Sequence, residues 1–187
     1  MELDPAKSVF ISYRRQIRWQ AARLVYRALK ERGYDVFMDV ESLDSGEFGT
    51  IIMRQIAARG HFVVILVPGS LDRCDEPNDW LRREIEQAID LGRNIVPVLF
   101  DGFDFTDAAP HLTGKLAKLS GYNAVNVHLD YFEAAMERLH HFLLRAPEGV
   151  IRPTPPKPPP KLTTPPKSCS VRRNTSIAGM RATTKAT

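Results

Sequence analysis

The sequence predicts an α/β protein, a five-stranded parallel sheet with helices on both faces. Three observations predict it. Short β-branched or aromatic runs recur at Ser8–Tyr13, Tyr34–Met38, His61–Val67, Asn94–Phe100 and Ala124–Val127. Stretches with apolar residues at helical spacing lie between them, and Gly, Pro or acidic residues punctuate the junctions. Strands alternating with helices at this spacing are joined by right-handed crossovers, so the strands run parallel and both faces of the sheet are covered.

Each element has its own signal. Ser8–Tyr13 (SVFISY) has the composition of a buried strand, with Arg14, Arg15 and Gln16 as its exit loop. Trp19, Ala22, Val25, Tyr26 and Leu29 mark the first helix, which ends at Gly33. Tyr34–Met38 leads into Asp39–Phe48, a loop of acidic and turn-forming residues with a bend at Ser45-Gly46. Gly49–Arg59 is the second helix. His61–Val67 (HFVVILV) is an unbroken apolar run closed by Pro68-Gly69, the mark of a core strand.

After the polar loop Ser70–Pro77, the stretch Pro77–Gly92 carries Leu81, Ile85, Ala88 and Ile89 on one helical face. Asn78 or Asp79 is its N-cap and Gly92 its stop. Asn94–Phe100 is a fourth strand whose Pro97 predicts an irregular or outlying position. Asp101–Pro110 is an acidic loop carrying Phe103 and Phe105. Leu112–Leu119 is a short helix, Ala124–Val127 a short fifth strand and Tyr131–Arg145 a final helix. Five such units give a flavodoxin-like sheet of order 2-1-3-4-5 in a domain covering residues 1–146.

Charge divides the chain in two. From Pro147 to Thr187 nine of the 14 prolines occur with eight basic residues and one acid, Glu148, and apolar periodicity stops. This is the composition of a disordered, basic, Pro-rich tail. Taking those residues from 26 Lys/Arg and 22 Asp/Glu leaves 18 and 21, a net −3 against +4 for the whole. The basic balance therefore belongs to the tail, and the folded part gives no argument for nucleic acid as a partner. Two cysteines, Cys74 and Cys169, make no disulfide framework, and no Cys/His set has metal-ligand spacing. Met1–Lys7 is polar and no apolar run reaches the ~18 residues of a membrane helix. The expectation is a cytoplasmic protein without metal, cofactor or membrane partner.

In a sheet of this order ligands bind beyond the carboxyl ends of the strands, at the switch point between the first and third. Tyr13–Arg15, Asp39–Phe48, Pro68–Asp79 and the start of the helix bearing Trp80 and Glu84 converge there. Four positions apart, Trp80 and Glu84 stack along the helix at the border of its apolar face. A carboxylate placed so is partly desolvated, which raises its pKa. No P-loop, dinucleotide fingerprint or nucleophile elbow occurs, and Val67-Pro68 stands where a phospho-receiver would need an aspartate.

One carboxylate, one indole and an arginine suffice for one reaction class. An ordinary glycoside needs a general acid because its leaving oxygen must be protonated. The nicotinamide of NAD⁺ is cationic and leaves neutral. Glu84 can then stabilise the oxocarbenium-like ribose, Trp80 pack on the base, and Arg14 or Arg15 pair with the pyrophosphate.

VFISYRR at Val9–Arg15, VFMDVESLDSGEF at Val36–Phe48, VPGSLDRC at Val67–Cys74, DWLRREIEQAI at Asp79–Ile89 and GRNIVPVLFDGF at Gly92–Phe103 together resemble the successive boxes of a Toll/interleukin-1 receptor (TIR) domain, over about residues 8–145. Among TIR domains they most resemble the NAD⁺-cleaving animal branch. The resemblance implies NAD⁺ as substrate rather than cofactor, Glu84 as the catalytic carboxylate, and Trp80 on the nicotinamide side. It also implies that Tyr13, Arg14 and Asp39 flank the pocket. Phe48 falls at an aromatic position of the loop that meets a neighbouring subunit, and Phe105 takes a tryptophan's place as a weaker stacking surface. The implied active species is a homo-oligomer of TIR domains. A second reading stays open, a TIR interaction module that pairs through Asp39–Phe48 and never turns over; the Glu84–Trp80 pair favours the enzyme.

Overall fold

The structure, a computed structural model, describes residues 4–38 and 46–144. Asp39, the side chain of Phe48 and the Pro-rich tail lie outside the described residues. Strands β1 (Ser8–Tyr13), β2 (Asp35–Met38), β3 (His61–Leu66), β4 (Asn94–Phe100) and β5 (Val125–Val127) form one sheet. Every pairing is parallel and the order is β2-β1-β3-β4-β5, as the alternation predicts.

The period-2 alternation of β1 divides the core. Val9 and Ile11 face α1 (Arg15–Glu31) and α4 (Phe132–Arg138), packing with Val25, Leu29, Met136 and Leu139. Phe10 points the other way and stacks on Phe37 and Phe62 at 5.4 and 5.6 Å. That face is covered by α2 (Gly46–Ala58) and α3 (Trp80–Asp90) through Ile52, Ile56, Leu81, Ile85 and Ala88. Each such side chain withdrawn from water contributes roughly 1.5–3 kcal/mol. Ser8 and Ser12 share the strand parity of Phe10 and are polar residues inside an apolar layer.

The structure corrects several boundaries. α1 begins at Arg15, with Arg14 as N-cap, so Arg15 and Gln16 are helical rather than an exit loop. Trp19 is 52% exposed, because it falls on the outer side of α1 while Ala22, Val25 and Leu29 take the inner side. α2 starts at Gly46, which places Phe48 in a helix and not in the preceding loop. Pro97 stands in an inner strand, in register with Val64 of β3. β5 pairs only with Val98–Phe100, so at Pro97 a missing N–H breaks no rung on the β5 side. The predicted Leu112–Leu119 helix is a 3₁₀ segment, Gly114–Gly121. The final helix is α4 followed by a π-helical turn, Leu139–Leu143. On that turn His140 is hydrogen-bonded to the Tyr34 hydroxyl at 2.9 Å. No helix among the described residues is long and apolar enough to cross a membrane.

Candidate functional site

The carboxyl end of β1 and the first turns of α3 meet at one point. Asp79 caps α3 by accepting from the Arg82 amide at 3.1 Å, which fixes where the helix begins. Five positions on, at helical spacing, Glu84 faces inward and is only 8% exposed. The Ser12 hydroxyl, on β1, donates to Glu84 Oε2 at 2.5 Å.

A carboxylate buried this deeply is costly in its charged form. Burial raises Glu84, helped by Asp79 and opposed by the Ser12 hydrogen bond and the Arg15 and Arg14 charges, and the balance leaves it at about 7. Both protonation states are therefore populated near neutrality. Tyr13, half-buried at the end of β1, is raised by burial and by Glu84 and lowered by Arg15. Arg15 thus brings a positive charge to both side chains from the first residue of α1.

Arg14 does something different. Its guanidinium grips both carboxylate oxygens of Asp79, Nη1 to Oδ2 and Nη2 to Oδ1, the latter at 3.1 Å, and its Nε donates to the Ser70 carbonyl at 2.9 Å. The side chains are 11% and 3% exposed. Burial alone would raise Asp79, but Arg14 and the Arg82 amide hold it below the usual carboxylate range. Cys74 completes the knot, its thiol 3.5 Å from Asp79 Oδ1; burial and Asp79 push it up to about 12, which leaves it an unreactive thiol.

Trp80 lies on the outer side of α3, 43% exposed, with the Arg83 guanidinium carbon 4.4 Å from its ring centroid. The ring closes on the start of α2, where a Cβ on Gly49 would sit 2.6 Å from the indole. Only glycine permits that approach. The indole therefore spans α3 and α2, with a cation on one face, and the carboxylate four residues away turns inward to β1. Phe105 is half-buried and makes an edge-to-face contact with Phe103, centroids 5.2 Å apart.

Of the predicted set, the structure brings Tyr13, Arg15 and Glu84 into one electrostatic neighbourhood, ties Arg14 to Asp79, and sets Trp80 at the rim. Phe105 belongs to the loop after β4. A cavity of about 90 Å³ opens between Pro68–Asp72 and Gly102–Ala108, one strand over from Glu84; it holds Asp72, Asp104 and Asp107 and none of the predicted site residues. Among the described residues no group of three or more His, Cys, Asp or Glu could hold a metal ion. Sequence reasoning passed over Ser12 and Asp79 as partners of site residues. The signal for Ser12 was a polar residue on the Phe10 face of an apolar strand.

A family model described as TIR domain matches residues 9–140. Over 138 residues the chain is 36% identical to the NAD(+) hydrolase tir-1 of Caenorhabditis elegans, a match covering 72% of this chain and 14% of that protein. It is likewise 36% identical over 138 residues to the NAD(+) hydrolase sarm1 of Drosophila melanogaster, covering 72% of this chain and 10% of that protein. The chain thus spans a small part of the length of these relatives. Among solved structures, a metazoan TIR-STING receptor from C. gigas superposes with a TM-score of 0.52 at 18% identity, covering 71% of this chain and 39% of that one.

Proposed function

The chain belongs to the TIR domain family, and from that membership we propose that it is an NAD⁺ glycohydrolase cleaving the bond between nicotinamide and ribose. The observation that carries the reading is Glu84, a buried carboxylate at the carboxyl end of β1 whose pKa lies at about 7. A helical glutamate on an ordinary surface would be solvated and would titrate near its usual value. The relatives named NAD(+) hydrolase support the same reading.

The chemistry follows from the charges. As the glycosidic bond breaks, its electron pair leaves with the pyridinium nitrogen and nicotinamide departs neutral, so no proton donor is required. Positive charge develops on the ribose. An ionised Glu84 in a site of low polarity stabilises that charge far better than water does. Water then adds to the anomeric carbon and loses a proton, giving ADP-ribose; an adenine nitrogen in water's place gives a cyclic isomer. Arg15, whose positive charge bears on both Glu84 and Tyr13, is the arginine for the pyrophosphate, and Arg14, gripping Asp79, sets the start of α3. Trp80 offers the flat surface for the base, with Tyr13, Asp39, Phe48 and Phe105 as further pocket residues.

The active species in this reading is a cytoplasmic homo-oligomer of TIR domains, formed through the stretch 39–48, in immune or cell-death signalling. The test is to cluster the full chain on beads, supply NAD⁺ and separate the products by chromatography. Wild type releases nicotinamide, and Glu84→Ala lowers the rate by about a thousandfold or more while keeping the fold. Equal turnover in the variant overturns the assignment of Glu84. A flat trace from clustered wild type leaves the interaction module as the function.

A further inference from the structure

We infer that Ser12 is a positioning residue for the glycohydrolase reaction: its hydroxyl holds the Glu84 carboxylate in one orientation and favours its ionised form. The inference rests on the proposed function and deepens it. Ser12 is the fifth residue of β1, 1% exposed, in register with Val64 of β3. β1 is paired with β2 as far as Ile11 and with β3 through Tyr13, so the strand does not shift to follow a side chain. Its hydroxyl is therefore a fixed point, and the hydrogen bond at 2.5 Å to Oε2 turns that point into the anchor of a side chain on α3.

The apolar layer around the serine supplies the second half of the argument. Phe10, two residues before it, packs with Phe62, Leu66, Leu81 and Ile85. Neither strand nor helix needs a hydroxyl there for packing, and a hydroxyl in such a layer is destabilising unless it is hydrogen-bonded. Its partner is the one ionisable group on the inward face of α3. A hydroxyl donating to a carboxylate stabilises the charged form over the neutral one. Among the described residues, the other charged or titratable groups that bear on Glu84 are Arg15 from α1, Arg14 and Asp79 at the junction, and Tyr13 from β1. Of these, the arginines favour ionisation too, while Asp79 opposes it.

Ser12→Ala removes the donor and leaves the strand's backbone pairing intact. The acid limb of the nicotinamide-release rate then moves to higher pH by about one unit, which is about a tenfold lower rate at fixed pH on that limb. Because the substrate contacts are untouched, KM stays within about twofold and the loss lies in kcat. Ser12→Thr keeps the hydroxyl and restores the wild-type limb. A purely structural serine would alter stability and leave the profile where it was. The profiles are measured on the bead-clustered full chain. The Glu84 carboxyl is titrated in parallel by carbon NMR of Glu-labelled wild type, Ser12→Ala and Glu84→Gln, the last assigning the signal.

A rise in both the kinetic limb and the Glu84 titration in Ser12→Ala, reversed in Ser12→Thr, supports the inference. An unchanged Glu84 titration in Ser12→Ala overturns it whatever the activity. A raised Glu84 titration with an unmoved acid limb overturns the catalytic role of Ser12. If wild type releases no nicotinamide at any pH while the titration rises in Ser12→Ala, the glycohydrolase reading fails and the hold of Ser12 on the carboxylate stands.

Discussion

Ser8 and Ser12 stand four residues apart on β1, on the same face and equally buried, yet they serve opposite ends of the sheet. Ser8 donates to the Pro5 carbonyl at 3.2 Å and accepts from the Gly60 amide at 3.1 Å. Both partners are neutral backbone. Around it His61 sits between the Ala6 carbonyl and Asn94, whose amide nitrogen also donates to the Leu143 carbonyl. With Asn94 as donor, His61 Nδ1 accepts and Nε2–H donates to Ala6, so the ring is neutral, and burial lowers its pKa accordingly. The bonds around Ser8 and His61 are thus neutral, and the charge at this end, the buried Arg59 guanidinium, is paired with Asp35 at 3.0 Å. The carboxyl end buries a carboxylate, which no arrangement of neutral partners fully satisfies. One end is built to hold the fold together, and the other holds a group that would be more comfortable in water.

Three substitutions sharpen that contrast, beginning with the largest effect. Arg14→Ala leaves the Asp79 carboxylate buried without its bidentate partner and should cost about 3–5 kcal/mol in urea unfolding. A loss below about 1 kcal/mol would mean that water replaces the guanidinium there.

Glu84→Gln tests the carboxylate as a liability. Its folded pKa is raised from 4.5 to about 7, so its contribution to stability is fully present below about 4.5 and is lost as pH rises through about 7. At pH 8 the glutamine variant should therefore be more stable than wild type, by up to about 3 kcal/mol, while at pH 4 the two converge. Urea midpoints at the two pH values measure it, and a variant no more stable than wild type at pH 8 would contradict the raised value.

Ser8→Ala breaks only the neutral bonds that Ser8 makes. It orphans the Gly60 amide and should cost about 1–2 kcal/mol. The pH profile of nicotinamide release should stay unchanged, in contrast to Ser12→Ala. A shifted profile would show that the two ends are coupled through the strand.

The sequence made the scaffold legible and the long-range bonds invisible, and particular residues show why. The run HFVVILV, the Asp79 cap and the 3.6-residue spacing of Leu81, Ile85 and Ala88 are local signals, and β3 and α3 form where they point. The crossover rule then placed β1 beside β3, and so brought Glu84 to the end of β1 without any contact being known. Which partner each side chain takes is a different matter. Ser12 and Glu84 are 72 residues apart, and Arg14 and Asp79 are 65 apart. No periodicity links such pairs, and the adjacent Arg14 and Arg15 look alike until one is seen tied to Asp79. The starts of α1 and α2 depart from the local signals for a related reason. Ser45-Gly46 has the chemistry of a bend, but packing of Ile52 and Ile56 carries the helix back to Gly46, and tertiary contact outweighs local propensity.

Asp79 has a consequence of its own. The same carboxylate opens α3 and clasps the residue that follows β1, so the phase of the helix and the exit of the strand are set by one joint. A protein engineer who wished to graft Glu84 and its helix into a foreign scaffold would have to move Arg14 and Asp79 together with them. Without that hinge pin, a slip of one residue in the helix would swing the carboxylate about 100° away from the serine that waits for it.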